Sequence, residues 1–75
     1  MTIRNAENGS VLNMELDPNT TIEDVIEGAA EFWHKEAGAY VLRRGKKLLK
    51  GQSTVADAGL KNEDVLELIP DPEGG

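Results

Sequence analysis

The amino-acid sequence predicts one α+β domain, a roll in which a mixed sheet of four or five strands packs on a single helix. Three observations support this class. A chain of 75 residues is long enough for one domain with one small hydrophobic core. One segment has the apolar spacing of a helix, and five short segments have the character of strands. They follow in the order hairpin, helix, strand, short strand, strand.

The first 16 residues predict a β-hairpin. In both halves of this segment apolar residues alternate with polar ones, which gives each strand one apolar face: Met1, Ile3, Leu12, Met14 and Leu16. Between the two halves lie Asn8 and Gly9, a pair that is typical of turns requiring positive φ.

Residues 21–38 predict a helix. Apolar residues recur at helical spacing and define one face: Ile22, Val25, Ile26, Ala29 and Trp33. Thr21 is the predicted N-cap, and Asp24 stands where a capping box has its acidic residue. Gly38 is the predicted end of the helix. Gly28, which is unfavourable inside a helix, indicates close packing between helix and sheet.

The remaining strands lie in the second half of the chain. A third strand is predicted at 40–44, a turn at Gly45, and a short fourth strand around Leu48 and Leu49. A loop with a brief helical turn leads to the last strand, residues 65–69. Pro70 and Pro72 predict that residues 70–75 form an extended tail, so the folded domain is expected to span residues 1–69.

Alternation along the strands predicts which side chains are buried. In the third strand we expect Val41 to point inward and Leu42 outward, and in the last strand we expect Ile69 to point outward. The predicted core is Met1, Ile3, Leu12, Met14, Leu16, Ile22, Val25, Ile26, Ala29, Val41, Leu49, Leu60, Leu66 and Leu68. One helix on one face of such a mixed sheet is a roll of the β-grasp kind.

The composition excludes several kinds of function. The chain has no cysteine, so it has no disulfide, thiolate metal site or cysteine nucleophile. With one histidine and scattered acidic residues, neither a metal site nor a catalytic triad is expected. The net charge of −6 argues against nucleic-acid binding. There is no apolar run long enough to span a membrane and no signal peptide. We therefore expect a monomeric cytoplasmic protein that is not an enzyme and needs no cofactor.

Four segments together resemble the ubiquitin-like protein modifiers. They are LDPNTTIEDV, VLRRGKKLL, STVADAGLKNEDVLELI and the final pair Gly74-Gly75, in the family's order and with nearly its spacing. Eukaryotic members carry arginines before the glycines, whereas this chain carries Asp71 and Glu73. The acidic tail indicates a prokaryotic member with a dedicated activating enzyme.

The resemblance implies a covalent modifier. An E1-like adenylating enzyme uses ATP to activate the carboxylate of Gly75, an E2-like conjugating enzyme carries the acyl group, and a lysine of the target protein receives it. Gly74 is the spacer, since a residue without Cβ lets the backbone pass through a narrow channel. A deconjugating protease is a further expected partner. Because the chain has no cysteine, it is the acyl donor in this scheme.

The resemblance also implies an exposed partner-binding patch on the sheet. We expect Leu42 and Ile69 to form its apolar part and Arg44, Lys46 and Lys47 to surround it. Glu67 stands where the family has histidine, so the patch is expected to be more charged than in ubiquitin.

Two alternatives remain open. Sulfur carriers, similar small β-grasp proteins, also end in Gly-Gly and are also adenylated, but they receive sulfur as a C-terminal thiocarboxylate. A non-covalent ubiquitin-like interaction domain, whose tail never reacts, is the other alternative.

Overall fold

The computed structural model describes residues 1–49 and 51–72. They form β1 (Thr2–Asn5), β2 (Val11–Asn13), α1 (Ile22–Phe32), β3 (Tyr40–Arg44), β4 (Lys47–Leu48) and β5 (Val65–Pro70), with a short 3₁₀ turn at Ala37–Ala39. The five strands make one sheet in the order β2-β1-β5-β3-β4. β1 and β5 are parallel, and the other neighbouring pairs are antiparallel. The chain therefore has the predicted α+β fold, a β-grasp roll with one helix on a mixed sheet.

The core lies between α1 and one face of the sheet. Ile3, Ile22, Val25, Ile26, Ala29, Leu42, Leu49, Val55, Leu60, Leu66 and Leu68 form one buried cluster. Met1, Leu12, Met14 and Leu16 pack against its edge, as partly buried side chains. β2 ends at Asn13, so Met14 and Leu16 contribute to the core from the segment that leads to the helix.

The predicted orientation of β3 is wrong. Leu42 has 0% of its surface exposed, whereas Val41 is only partly buried. Leu42 pairs with Leu68, and Val41 pairs with Ile69. Paired residues of neighbouring strands point to the same face, so Leu42 joins the core side with Leu68. Leu42 therefore cannot belong to an exposed partner-binding patch, and Val41 takes its place.

The helix begins as predicted and ends earlier. The hydroxyl of Thr21 accepts a hydrogen bond from the N–H of Asp24 at 3.1 Å, which caps the N-terminus. The last helical residue is Phe32, and His34 follows with a φ of 56°. The N–H of Lys35 donates to the carbonyl of Ala30 at 2.8 Å. This is the hydrogen bond of a Schellman motif, in which His34 occupies the left-handed position that glycine usually fills.

Two glycines serve specific local needs. Gly45 has a φ of 60° and opens the two-residue loop between the paired residues Arg44 and Lys47, as in a type II′ hairpin. A Cβ at Gly28 would lie 3.0 Å from the terminal methyl group of Met14. The helix therefore closely approaches the segment that follows β2 at Gly28, whereas the sequence predicts close packing on the sheet itself.

β5 continues one residue beyond the predicted last strand. Pro70 pairs with Tyr40. These two residues form a non-hydrogen-bonded pair of the antiparallel ladder, so the missing N–H of Pro70 costs no hydrogen bond. The N–H of Asp71 then donates to the carbonyl of Ala39 at 2.9 Å. Gly74 and Gly75 lie outside the described residues.

Candidate functional site

The sheet has one face that α1 does not cover, which we call the open face. Alternation from the buried residues of each strand places ten residues on this face: Thr2, Arg4, Val11, Asn13, Val41, Arg43, Leu48, Val65, Glu67 and Ile69. Three of them are large apolar residues that are about half exposed, with Val11 at 60%, Val65 at 56% and Leu48 at 46%. Val41 and Ile69 are partly buried and lie side by side on β3 and β5.

A row of charged residues crosses the middle of the open face. Glu67 on β5 is paired with Arg4 of β1 on one side and with Arg43 of β3 on the other. The carboxylate accepts a hydrogen bond from Arg43 at 2.7 Å and another from Arg4 at 2.9 Å. The guanidinium of Arg43 is the larger cause of a lowered pKa of Glu67, and Arg4 adds to it. The row thus carries two cations for one anion.

Further cations border the open face at the β3–β4 hairpin. Lys46 and Lys47 are exposed and make no ion pair with the described part of the chain. Arg44 donates a hydrogen bond to the carbonyl of Gly59 at 3.3 Å and lies 3.5 Å from a carboxylate oxygen of Asp64. This corner of the molecule is therefore basic, although the whole chain has a net charge of −6.

The structure relocates some of the residues that were predicted as a site. Ile69 belongs to the open face, and Arg44, Lys46 and Lys47 border it at the hairpin. Leu42 is on the core side. Sequence reasoning missed Arg4 and Arg43, which occupy the centre of the face. Their pairing with Glu67 could have been found only from the strand register, because Arg4 and Glu67 are 63 residues apart.

A second polar group fastens the β1–β2 turn to the rest of the domain. The hydroxyl of Tyr40 donates a hydrogen bond of 2.6 Å to Glu7, and the ammonium of Lys35 lies 4.0 Å from the same carboxylate oxygen. The hydrogen bond to Glu7 is the main cause of a raised pKa of Tyr40. These contacts join the turn, the segment that follows α1 and the start of β3, so they hold one end of the roll together.

The described residues contain neither a metal-binding group nor a membrane-spanning helix. Within residues 1–49 and 51–72, three or more potential metal-ligating side chains nowhere come together as a metal-binding group. Across the same residues, none of the helices has the length and apolar character needed to cross a membrane.

Comparison with known proteins supports the fold. No protein-family profile and no curated protein matches the chain. Among solved structures, 330 chains match. One is the crystal structure of ATBAG1 in complex with HSP70, which has a TM-score of 0.83 and 14% sequence identity over 95% of this chain. The match spans only 39% of the ATBAG1 chain. At this identity the likeness shows the ubiquitin-like β-grasp fold, and a fold so widely shared does not identify a function.

Proposed function

We propose that this chain is a ubiquitin-like protein-interaction module that binds its partner non-covalently through the open face. The partner is a protein that presents apolar side chains beside carboxylates. The main support for the proposal is the composition of the open face. Half-exposed aliphatic residues there surround the charged row of Arg4, Glu67 and Arg43, which has an excess of positive charge. In this proposal the chain is a binding protein and not an enzyme. Its cytoplasmic location and monomeric state stay predictions.

The open face favours binding through both its apolar surface area and its charge. Val41, Ile69, Val65 and Leu48 offer aliphatic surface whose removal from water favours association. Lys46 and Lys47 are not neutralised by ion pairs within the described residues, so they can attract and orient an acidic partner. Arg4 and Arg43 each donate a hydrogen bond to Glu67, which keeps both guanidinium groups in place for a partner carboxylate, although the buried Nε of Arg43 has no hydrogen-bond partner among the described residues.

The structural neighbour supports the same class of function in a coarse sense. ATBAG1, whose matched region has this fold, was crystallised in complex with another protein, HSP70. The matched region is a minority of that chain, so HSP70 binding is a property of ATBAG1 as a whole. The comparison supports a protein partner for this chain and says nothing of which protein it is.

A second candidate is covalent attachment, favoured by Gly74-Gly75 only a few residues after β5. In that function an E1-like enzyme adenylates the Gly75 carboxylate with release of pyrophosphate, and an enzyme thiolate then displaces AMP to form a thioester. An E2-like enzyme passes this acyl group to a lysine amine, with its thiol as the leaving group. In the sulfur-carrier version, sulfur replaces one carboxylate oxygen after adenylation. Both versions require Gly75 to be the last residue of the mature chain.

One set of variants separates these functions in the native cells. Chemical cross-linking and recovery are carried out with three tagged proteins: the unaltered chain, a form lacking Gly74 and Gly75, and the variant Lys46→Glu. Lys61→Glu is the control, because it changes the net charge equally. A non-covalent module keeps its partner when the glycines are deleted and loses it with Lys46→Glu but not with Lys61→Glu. Partner binding that is insensitive to Lys46→Glu and to an added Ile69→Asp change would contradict the proposal.

Mass spectrometry of the same samples tests the second candidate. Gly75 joined to lysines of other proteins, and absent from the deleted form, would establish conjugation. A free chain about 16 Da heavier, from one oxygen exchanged for sulfur, would establish a carrier. A chain that continues beyond Gly75 without cleavage would exclude both.

A further inference from the structure

A groove of about 510 Å³ runs between α1 and the beginning of β3, on a different side of the molecule from most of the open face. The helix contributes Glu23, Ile26 and Glu27, the strand contributes Tyr40 and Val41, and Leu49 lies on the wall beyond them. Val41 is the one residue named here that also belongs to the open face. The groove therefore combines aliphatic side chains with two carboxylates.

The groove is open because β4 is short. β4 pairs only with Arg43 and Arg44 of β3, and the next contact on this side is a hydrogen bond of 2.9 Å from the N–H of Leu49 to the carbonyl of Leu42. Beyond Leu42, towards the start of β3, no described strand lies on this side. The first part of β3 is thus a sheet edge that faces the groove.

The backbone of β3 adds a hydrogen-bond acceptor to this edge. Carbonyls of a strand alternate in direction, so those of Tyr40 and Leu42 point to the same side. Since the Leu42 carbonyl accepts from Leu49, the Tyr40 carbonyl also points towards the groove. The N–H of Tyr40 is already used, because it donates to the carbonyl of Ala37. The edge can therefore accept one hydrogen bond from a bound backbone.

The described residues that line the groove carry a negative charge. Glu23 and Glu27 are four residues apart on the exposed side of α1, so they are neighbours on the helix surface. Within the described residues neither has an ion pair, and the lining includes no described lysine, arginine or histidine. With a chain charge of −6, this groove favours cationic ligands.

We infer that the groove is a second docking site, which takes an extended basic segment of a partner protein. An arginine or lysine of the segment pairs with Glu23 and Glu27. An adjacent apolar side chain packs on Tyr40 and on the small exposed parts of Ile26 and Leu49. A peptide N–H of the segment donates to the carbonyl of Tyr40. The contacts proposed here involve neither the charged row of the open face nor Gly74-Gly75, so the site stands or fails separately from the proposed function.

The test uses a fluorescein-labelled nine-residue peptide with a central leucine flanked on both sides by arginine and lysine. A matched peptide has glutamine in place of the basic residues. Fluorescence anisotropy at about 0.05 M salt is expected to show binding of the basic peptide alone, with an affinity that falls as salt rises. The double variant Glu23→Gln/Glu27→Gln is expected to weaken binding about tenfold. Its control, Glu31→Gln/Glu63→Gln, changes the net charge equally outside the groove and is expected to bind like the unaltered chain.

A steric variant tests the location without changing charge. A Cβ added at Gly38, which lines the groove, meets no atom within 4 Å, and the φ of Gly38 is not positive. Gly38→Leu is therefore expected to fold normally, which circular dichroism will verify, and to place a bulky side chain at the lining of the groove. It is expected to weaken peptide binding strongly. Each of three results would overturn the inference. The two charge variants could weaken binding equally, Gly38→Leu could bind the peptide as well as the unaltered chain does, or the unaltered chain could fail to bind at millimolar concentration.

Discussion

The corrected orientation of β3 makes a direct prediction about two neighbouring residues. Leu42 is completely buried between α1 and the sheet, whereas Val41 lies on the open face. Truncation of a buried leucine to alanine costs about 2–5 kcal/mol, because it removes buried apolar surface and leaves a cavity. Leu42 pairs with Leu68 of β5 on one side and accepts a backbone hydrogen bond from Leu49 on the other, so neighbours on both sides limit collapse of that cavity. We expect Leu42→Ala to lower the free energy of unfolding by about 3 kcal/mol.

The matched variant is Val41→Ala, which removes fewer carbon atoms from a partly exposed position. Its expected cost is about 1 kcal/mol or less. Urea unfolding at 25 °C, followed by circular dichroism and by the fluorescence of Trp33, measures both values from midpoint and slope. Since about 1 kcal/mol shifts the melting temperature of a domain of this size by about 4–8 °C, Leu42→Ala should melt at least about 12 °C lower. A larger loss for Val41→Ala than for Leu42→Ala would refute the assigned orientation.

Three further predictions concern the helix and the charged row. His34→Gly should raise the free energy of unfolding by about 1 kcal/mol, because glycine adopts the left-handed conformation without a Cβ clash, and thermal melting with His34→Ala as control will measure it. Gly28→Ala should stabilise the protein by up to about 1 kcal/mol, because alanine favours the helix and the flexible end of Met14 can move aside; a lower melting temperature would contradict this. Folding lowers the pKa of Glu67, so the stability that its carboxylate contributes is present above pH about 4.3 and is lost as the pH falls through the folded-state pKa. The difference in free energy of unfolding between the unaltered chain and Glu67→Gln should therefore shrink from pH 6 to pH 3. Urea titrations across this pH range will measure it.

The class of fold and the start of the helix could be predicted because their signals are local. The apolar face from Ile22 to Ala29 repeats at helical spacing, and the cap at Thr21 depends on atoms three residues apart. The alternation around Leu66 and Leu68 likewise assigns the buried side of β5 correctly, since Glu67 between them is polar. Where polar and apolar residues alternate clearly, the sequence is sufficient to orient a strand.

The helix end and the orientation of β3 lacked such a signal. Tyr40, Val41 and Leu42 are three consecutive apolar residues, so period two is consistent with either orientation. Pairing with β5 selects one of them and places Leu42 against the helix. The helix ends at a left-handed histidine, whereas sequence reasoning relies on glycine at that position and therefore chose Gly38.

By itself the sequence determined a small α+β roll with a capped helix, an acidic net charge and no cysteine, because these properties depend on composition and on short-range periodicity. Only the tertiary structure decided the composition of the open face. Arg4 and Arg43 reach Glu67 because β5 lies between β1 and β3, a contact across 63 residues in one case and 24 in the other. It also decided that the groove beside β3 stays open, since that depends on how far β4 extends along its neighbour. Both features arise from strand pairing, which long-range packing selects and local sequence patterns do not specify.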